Sequence, residues 1–258
     1  MCPLFTPDSN IEYHQDPVIT TAEAPYYGRI GSGQRGEIDW TIFPVSLVSD
    51  QWVLCGARAI QVIGSSSVKF VGLGGTFRPQ YNPDEIYDVT KRHIHPLYDI
   101  DESVVYNDIA LLQLDRRLTF TEKILPACLH TGTPLQNSGF ILTGPQYINS
   151  FPYKMTMQRL SQNECSELFP DGSNHHPDGV KHDLQICSRP VNTKGNCPDW
   201  YSGAPLTLPN SHGVACNHLL VGLGSYKDSS PCSYTNIRIS GFISWIEGIV
   251  WPESSFGL

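Results

Sequence analysis

Short apolar runs separated by turn residues constrain the fold of this chain more than any other feature. The 258 residues include 22 glycines and 20 prolines, which separate runs rich in valine, isoleucine, leucine and tyrosine. Four such runs cover residues 45–53, 68–73, 108–114 and 219–225. Runs bounded by turn residues are typical of β-strands, and their frequency is typical of a sandwich or barrel. The sequence therefore predicts an all-β protein.

One helix is predicted near the end of the chain. Ile239, Phe242, Ile243 and Ile246 recur at the i, i+3, i+4 and i+7 spacing that places apolar side chains on one helix face. This periodicity is poor in the rest of the sequence. We therefore expect a domain built mostly of strands and closed by a C-terminal helix.

Charge and hydropathy exclude several classes of partner. The net charge is −8 and no run of basic residues is present, which argues against binding to nucleic acid or to an anionic membrane. No apolar stretch approaches the length of a transmembrane helix. The length fits one large β unit or two small lobes.

The cysteines indicate a secreted protein. Eight cysteines in a chain of this size favour an oxidising, extracellular compartment. The first residues, Met-Cys-Pro-Leu-Phe-Thr-Pro, lack the basic flank and apolar core of a secretory signal. The chain is therefore interpreted as a fragment without its leader, or as an incomplete gene model.

Three segments in a fixed order carry the functional signal. They are 50–59 (Asp-Gln-Trp-Val-Leu-Cys-Gly-Ala-Arg-Ala), 107–114 (Asn-Asp-Ile-Ala-Leu-Leu-Gln-Leu) and 202–206 (Ser-Gly-Ala-Pro-Leu). They resemble the segments that carry the catalytic histidine, aspartate and serine of trypsin/chymotrypsin-like serine proteases. The resemblance places Arg58, Asp108 and Ser202 at these positions. Their separations, 50 and 94 residues, are close to the roughly 45 and 93 of the same triad order in that family.

The resemblance covers roughly residues 29–250 and implies a fold. It implies two antiparallel six-stranded β-barrels and a C-terminal α-helix packed on the second barrel. The first barrel is expected at about 29–125, the second at about 126–236 and the helix at about 237–250. Residues 1–28 are interpreted as an N-terminal extension or linker, and residues 251–258 as a tail.

Arg58 removes the general base that the family requires. A histidine accepts the serine proton because its pKa lies near neutral pH, whereas a guanidinium stays protonated and has no acceptor atom. Ser202 and Asp108 keep the residue types of the nucleophile and the orienting acid. Because Asp108 is expected to be buried, we predict that the Arg58 guanidinium pairs with it. The alternative is that Arg58 turns to solvent.

Other positions that the resemblance assigns to catalysis also depart from the family. Trp200 stands where a glycine supplies an N–H group of the oxyanion hole, and Tyr201 where an aspartate binds the N-terminus freed by activation. Asp199 is a candidate for that aspartate, displaced in the sequence. Residues 29–33 resemble the family's activation site only loosely, so we expect the cleavage switch to be lost, and whether a protease cuts after Arg29 is left open. The specificity pocket is altered at three positions: Gly195, Lys227 and Cys232.

The resemblance also implies a set of disulfide bonds: Cys2–Cys128, Cys165–Cys187 and Cys197–Cys232. The bridge that normally holds the histidine loop is absent, because Phe43 and Ala59 occupy its two positions. Cys55 and Cys216 are interpreted as buried free thiols. A bridge outside the family pattern and a link to another chain are the alternatives.

Two groups of histidines are candidates for other chemistry. His175, His176 and His182 lie in an expected surface loop and form a possible metal site, but no ligand spacing is repeated on a regular element. His93 or His95 would replace the missing base only if it lay close to Ser202, and the resemblance implies that this stretch lies away from the serine. We expect neither role.

The sequence therefore predicts a catalytically inactive trypsin-like serine protease homologue. It would act as a binding or regulatory module for a protein partner, in an extracellular proteolytic or immune cascade. The alternatives are an active serine endopeptidase with a rearranged active site and a metal- or small-ligand-binding protein on the same scaffold. No cofactor, metal, nucleic acid or membrane is expected as a partner.

Overall fold

A computed structural model describes residues 23–75, 82, 85–100, 104–132, 139–145, 152–191, 197, 201–209, 218–229 and 232–252. Strands are the main regular elements of these residues, and they close into two barrels. The predicted fold class is confirmed.

The first barrel closes with six antiparallel strands in the order β1-β2-β3-β6-β5-β4, because β4 pairs back onto β1. Its strands are β1 (Tyr27–Gln34), β2 (Glu37–Leu47), β3 (Trp52–Cys55), β4 (Phe70–Leu73), β5 (Ile86–Ile94) and β6 (Ala110–Leu114). The hydrophobic core of this half includes Ile30, Val53 and Leu111, none of which is exposed.

The second barrel closes where β11 pairs with β12, and a short strand, β7, adds to β12 in parallel orientation. Its strands are β7 (Cys128–Leu129), β8 (Phe140–Pro145), β9 (Pro152–Arg159), β10 (Gln185–Pro190), β11 (Pro205–Pro209), β12 (His218–Ser229) and β13 (Cys232–Arg238). A separate core fills this barrel and buries Phe140, Met157 and Tyr234 completely.

Three short helices complete the described structure. They are α1 (Ala57–Ile63) after β3, α2 (Gln162–Leu168) after β9, and α3 (Ile243–Val250) after a 3-10 turn at Ile239–Phe242. A capping box formed by Ser161 and Glu164 begins α2. None of the helices in the described ranges is long and apolar enough to span a membrane.

The C-terminal helix buries most of the predicted apolar stripe and makes one contact beyond the expectation. Ile239, Phe242 and Ile246 are buried, in one cluster with residues of both barrels. The Phe242 ring meets the edge of His95, just after β5, with 5.1 Å between ring centroids. The segment therefore packs against the first barrel as well as the second, on which we expected it.

The structure buries Arg29, after which an activation cleavage would occur. Arg29 lies in the middle of β1, opposite Pro44 of β2 and Gly72 of β4, and it is only 2% exposed. A protease cuts exposed, flexible segments, and a strand bonded on both sides is neither. The strand itself begins at Tyr27, ahead of residue 29.

Candidate functional site

The three positions of the degenerate triad meet between the two barrels. Arg58 is the second residue of α1, directly after β3, while Asp108 precedes β6 and Ser202 precedes β11. Asp108 and Ser202 are 1% and 6% exposed, and Arg58 is half-buried. The fold therefore brings together the residues that the sequence assigned to one site.

Asp108 is the acceptor at the centre of this site. Its Oδ1 accepts the backbone N–H of Arg58 at 2.8 Å, and its Oδ2 accepts the hydroxyls of Ser202 and Ser225, each at 2.9 Å. Burial raises the pKa of the Asp108 carboxyl, and these hydrogen bonds oppose the shift. We call Arg58, Asp108, Ser202 and Ser225 the Asp108 cluster. It joins the two barrels through one buried carboxylate.

The predicted ion pair between the Arg58 guanidinium and Asp108 is not formed. The backbone of Arg58 makes the contact, and no ion pair joins its guanidinium to any carboxylate in the described part of the chain. The Arg58 charge is the smallest of the effects on the pKa of Asp108. An amide and two hydroxyls already satisfy this carboxylate, so the guanidinium is not needed as its donor.

The Ser202 hydroxyl points into a slot between Asp108 and Gly56. A Cβ atom at position 56 would overlap this hydroxyl, so glycine leaves the room that the rotamer needs. The next residue, Gly203, has a φ of +92°, and its N–H donates to the carbonyl of Gly224 at 2.9 Å. The segment is thereby held with its hydroxyl directed inward.

None of the described histidines reaches the Ser202 hydroxyl, whose hydrogen bond goes to Asp108. His93 lies against Trp52, with 5.5 Å between ring centroids, and His95 lies against the C-terminal helix. A general base must lie within hydrogen-bond reach of the proton that it takes. Neither histidine therefore replaces the lost base in this arrangement.

The oxyanion and pocket positions are only partly described. Three of the residues assigned there lie outside the described residues: Gly195, Asp199 and Trp200. Tyr201 is half-buried and meets Phe43 edge to face, with 6.1 Å between ring centroids. The rings of Tyr201 and Phe43 therefore pack together at positions where the family has an aspartate and a cysteine. Lys227 lies in β12, and Cys232 begins β13.

An aromatic group lies over the strand that would bind substrate. The His175 ring is 4.3 Å from that of Tyr226 between centroids, and His176 meets the same ring at 5.6 Å. The Val105 N–H donates to the His175 carbonyl at 3.2 Å, which ties this loop to the first barrel. We call His175, His176 and Tyr226 the histidine cap.

The histidines considered as metal ligands contact neighbouring side chains. His176 is 1% exposed and shares a hydrogen bond with the Thr235 hydroxyl at 3.1 Å. Burial lowers the pKa of His176 to about 4, so its ring is neutral at physiological pH. His182 is bonded to Ser166. No group of three or more potential ligands is found within the described ranges.

The cysteines follow the family pattern where the structure describes them. Two of the expected pairs are bonded: Cys165–Cys187 and Cys197–Cys232. Cys128 is also disulfide-bonded, and its expected partner Cys2 lies outside the described residues, as does Cys216. Cys55 is a buried free thiol, and burial and the nearby Asp108 charge raise its pKa.

Sequence reasoning missed two residues that shape the site. Ser225 stands in the Ser-Tyr-Lys segment, which indicates its place on the substrate strand but not its bond to Asp108. Gly56 replaces an alanine of the family segment Thr-Ala-Ala-His. The change from alanine to glycine was the sequence feature that could have predicted space for the Ser202 hydroxyl.

Comparison with known proteins gives these features a family. The family model described as Trypsin matches residues 45–246. Serine protease Hayan of Drosophila melanogaster is 29% identical over 82% of this chain and 35% of its own length. Melanization protease 1 of the same species is 27% identical over 80% of this chain and 54% of its own. Chymotrypsin of Phaedon cochleariae is 28% identical over 82% and 73%, respectively.

The chain spans about a third of Hayan and about half of Melanization protease 1. The family match includes all three positions of the degenerate triad: Arg58, Asp108 and Ser202. It covers most of the chain and agrees with the two closed barrels. The chain therefore belongs to the trypsin family and contains a trypsin-like serine protease domain.

Proposed function

We propose that this chain is a non-catalytic serine protease homologue. The proposal rests on the 2.9 Å hydrogen bond from the Ser202 hydroxyl to the Asp108 carboxylate. In a working triad an imidazole stands between these groups, takes the serine proton and is oriented by the aspartate. Here the two outer members of the triad contact each other directly, and the middle member is a cation.

The chemistry of the Asp108 cluster supports inactivity in four ways. Arg58 has no lone pair with which to take a proton. Ser202 is 6% exposed, so a peptide carbonyl meets its hydroxyl only after the side chain leaves its slot. Leaving the slot removes one of the donors of a buried carboxylate, which costs about 1.5–3 kcal/mol. A serine without an activating base is also a poor nucleophile.

We infer that the retained scaffold binds another protein and regulates it, in an extracellular proteolytic cascade. The relatives include a protein named Melanization protease 1, and we propose that this chain acts in an immune cascade of that kind. The bonded cysteine pairs support a secreted protein, because disulfides persist in oxidising compartments.

The second candidate is an active serine endopeptidase with a rearranged site, and the same contact favours it. A carboxylate that touches a hydroxyl directly is placed to take its proton. Burial raises the pKa of Asp108, which makes the carboxylate a stronger base. This mechanism requires the substrate carbonyl to reach a hydroxyl that is directed into the interior.

A fluorophosphonate probe distinguishes the two candidates, because it labels only a nucleophilic and accessible serine. We expect no mass increase of the intact protein under conditions that label an active trypsin completely. Ser202→Ala gives the background. Labelling at Ser202, or peptide hydrolysis that Ser202→Ala abolishes, would establish the endopeptidase and overturn the proposal.

A further inference from the structure

A buried arginine in the first barrel has no counter-charge in the described structure. Arg29 of β1 is only 2% exposed, and its Nε and Nη2 atoms are buried without a hydrogen-bond partner. None of the ion pairs in the described part of the chain includes it. A guanidinium stays protonated at any working pH, so this charge is not removed by titration. Because a buried unpaired charge strongly destabilises a folded protein, Arg29 requires an anion.

The Arg29 side chain leaves the first barrel on the outer side of the sheet. Successive side chains of a strand point to opposite faces, and Ile30, the next residue, lies in the barrel core. A Cβ at Gly28, the residue before, would contact Val45 and Leu73 of the same core. The outer side is covered as well, and β2 beside it contacts β8 and β11 of the second barrel. The charge is therefore enclosed, but not among the apolar side chains of the core.

The adjacent strands supply no counter-charge at this point. Arg29 pairs with Gly72 of β4, which has no side chain, and with Pro44 of β2, which is apolar. Past this pair the register of β1 and β2 is interrupted, and residues 41–43 lie opposite a single residue of β1. The Thr41 hydroxyl in this irregular stretch donates to a backbone carbonyl of β1 and accepts a backbone N–H of β2. The group that neutralises Arg29 therefore comes from neither strand.

The segment that leads into the degenerate site supplies no carboxylate in its described part either. The Pro44 carbonyl lies against Gly203, where a Cβ atom would come within 2.9 Å of it. The Phe43 ring meets Tyr201 edge to face. The pair of Arg29 and Pro44 therefore lies beside this segment. Tyr201 stands where the family has an aspartate, and a phenol is uncharged at neutral pH.

We propose that Arg29 binds a chloride ion inside the folded protein. Nε and Nη2 form one edge of the guanidinium, so their N–H groups point the same way and can donate to one anion. A single negative charge neutralises this cation, whereas a doubly charged ion would leave an excess charge buried. An organic acid or a partner's side chain would need an open surface, which a 2% exposed residue does not offer. The inference goes beyond the proposed function and holds whether or not Ser202 is reactive.

Thermal unfolding at varied chloride concentration tests the proposal on the intact protein. Sodium chloride replaces sodium gluconate from about 1 to 300 mM at constant ionic strength, so the screening of surface charges stays the same. Gluconate serves as the anion that is too large for an enclosed site. Arg29→Met removes the cation and keeps a long side chain. Arg117→Met is the matched control, because that arginine side chain is 77% exposed. A crystal grown in sodium bromide locates the ion directly by its anomalous scattering.

We expect the dependence of a single bound ion. Once chloride exceeds its Kd, each tenfold rise should stabilise wild type by RT ln 10, about 1.4 kcal/mol, and raise Tm by about 3–6 °C. Arg29→Met should not respond to chloride, and without chloride it should be more stable than wild type. Arg117→Met should follow wild type. One bromide should lie within hydrogen-bond distance of Nε and Nη2 of Arg29.

A wild-type Tm that is the same in chloride and gluconate would overturn the proposal, because a group of the protein itself would then neutralise Arg29. A chloride response that Arg29→Met retains would also overturn it, since the ion would bind elsewhere. Bromide beside Arg29 in the crystal without a chloride response in solution would mean an adventitious ion only, and would equally refute the site. The wild-type titration and the bromide position do not require any variant to fold.

Discussion

Replacing Ser202 with alanine should destabilise this protein, because the Ser202 hydroxyl donates one of the hydrogen bonds to the buried Asp108 carboxylate. The Ser202 hydroxyl is one of three donors to a carboxylate that is 1% exposed. Ser202→Ala removes that donor and leaves the amide of Arg58 and the hydroxyl of Ser225. The change therefore tests whether the residues at the triad positions help to hold the barrels together.

The structure allows an estimate of the loss. A hydrogen bond to a charged group contributes about 1.5–3 kcal/mol, whereas one between neutral groups contributes about 0.5–1.5 kcal/mol. Ser202→Ala should therefore lower the free energy of unfolding by about 1.5–3 kcal/mol while Asp108 is ionised. In a domain of this size each kcal/mol shifts Tm by about 2–4 °C, which gives a fall of roughly 3–12 °C.

Urea unfolding followed by tryptophan fluorescence measures this loss, with the disulfides kept intact. The matched control is Ser46→Ala. Ser46 is also buried, but its hydroxyl has no hydrogen-bond partner in the described structure, so its removal should be neutral or slightly stabilising. The midpoint should move for Ser202→Ala and not for Ser46→Ala, with the slope unchanged in both.

A double-mutant cycle tests the charge dependence of the same bond. In an Asp108→Asn background the acceptor is neutral, and Ser202→Ala should then cost only about 0.5–1.5 kcal/mol. Equal midpoint shifts for Ser202→Ala and Ser46→Ala would refute the structural role. A cost of Ser202→Ala that does not depend on the residue at 108 would refute the charged hydrogen bond.

Three further predictions concern the interior of the molecule. Arg29→Met should raise the free energy of unfolding by about 1–3 kcal/mol, because Nε and Nη2 of Arg29 are buried without partners in the described structure. Asp108→Asn should lose less stability than wild type as the pH rises from about 4 to neutral. Burial raises the folded-state pKa of Asp108, so its protonated form adds stability below the unfolded pKa, and this is lost as the pH rises through the folded pKa. Gly56→Ala should cost about 1–3 kcal/mol through overlap with the Ser202 hydroxyl, and Ser202→Ala in the same chain should recover much of it.

Urea midpoints measured between about pH 3 and 8 check all three. Arg117→Met, at a side chain that is 77% exposed, is the control for Arg29→Met and should change stability by less than about 0.5 kcal/mol. A loss of stability in Arg29→Met would mean that the guanidinium has a partner. Parallel pH profiles for wild type and Asp108→Asn would contradict the raised pKa. Additive costs for Gly56→Ala and Ser202→Ala would contradict the overlap.

Strands could be predicted from the sequence where apolar runs are continuous. They could not be predicted where a segment becomes a strand only by pairing with its neighbours. The run 45–53 contains two strands, because the Ser49 hydroxyl accepts the N–H of Trp52 and turns the chain. Strand β1 was not predicted, since its glycines have weak strand propensity. Gly28 is required there by packing, because a Cβ would lie 2.5 Å from the carbonyl of Gly72. That requirement is visible only when β4 is in place.

The residues of the site were predictable, but their contacts were not. Motif order placed Arg58, Asp108 and Ser202 together, because it reports positions on a shared backbone. The donors to the buried carboxylate depend on which groups lie within hydrogen-bond distance in the folded protein. The backbone amide of Arg58 lies within that distance and makes the hydrogen bond. The inward rotamer of Ser202 depends on space at Gly56, which is a property of the packed structure.

The identity of the retained residues is therefore a poor guide to activity in this chain. A buried carboxylate at position 108 needs donors whether or not an imidazole is present, because an unsatisfied buried charge costs several kcal/mol. Ser202 and Ser225 supply them, so both the aspartate and the serine have a structural reason to remain after the base is gone. The residue that distinguishes a working site from a structural one is the group between them. At that position this chain has an arginine, which has no lone pair with which to take a proton.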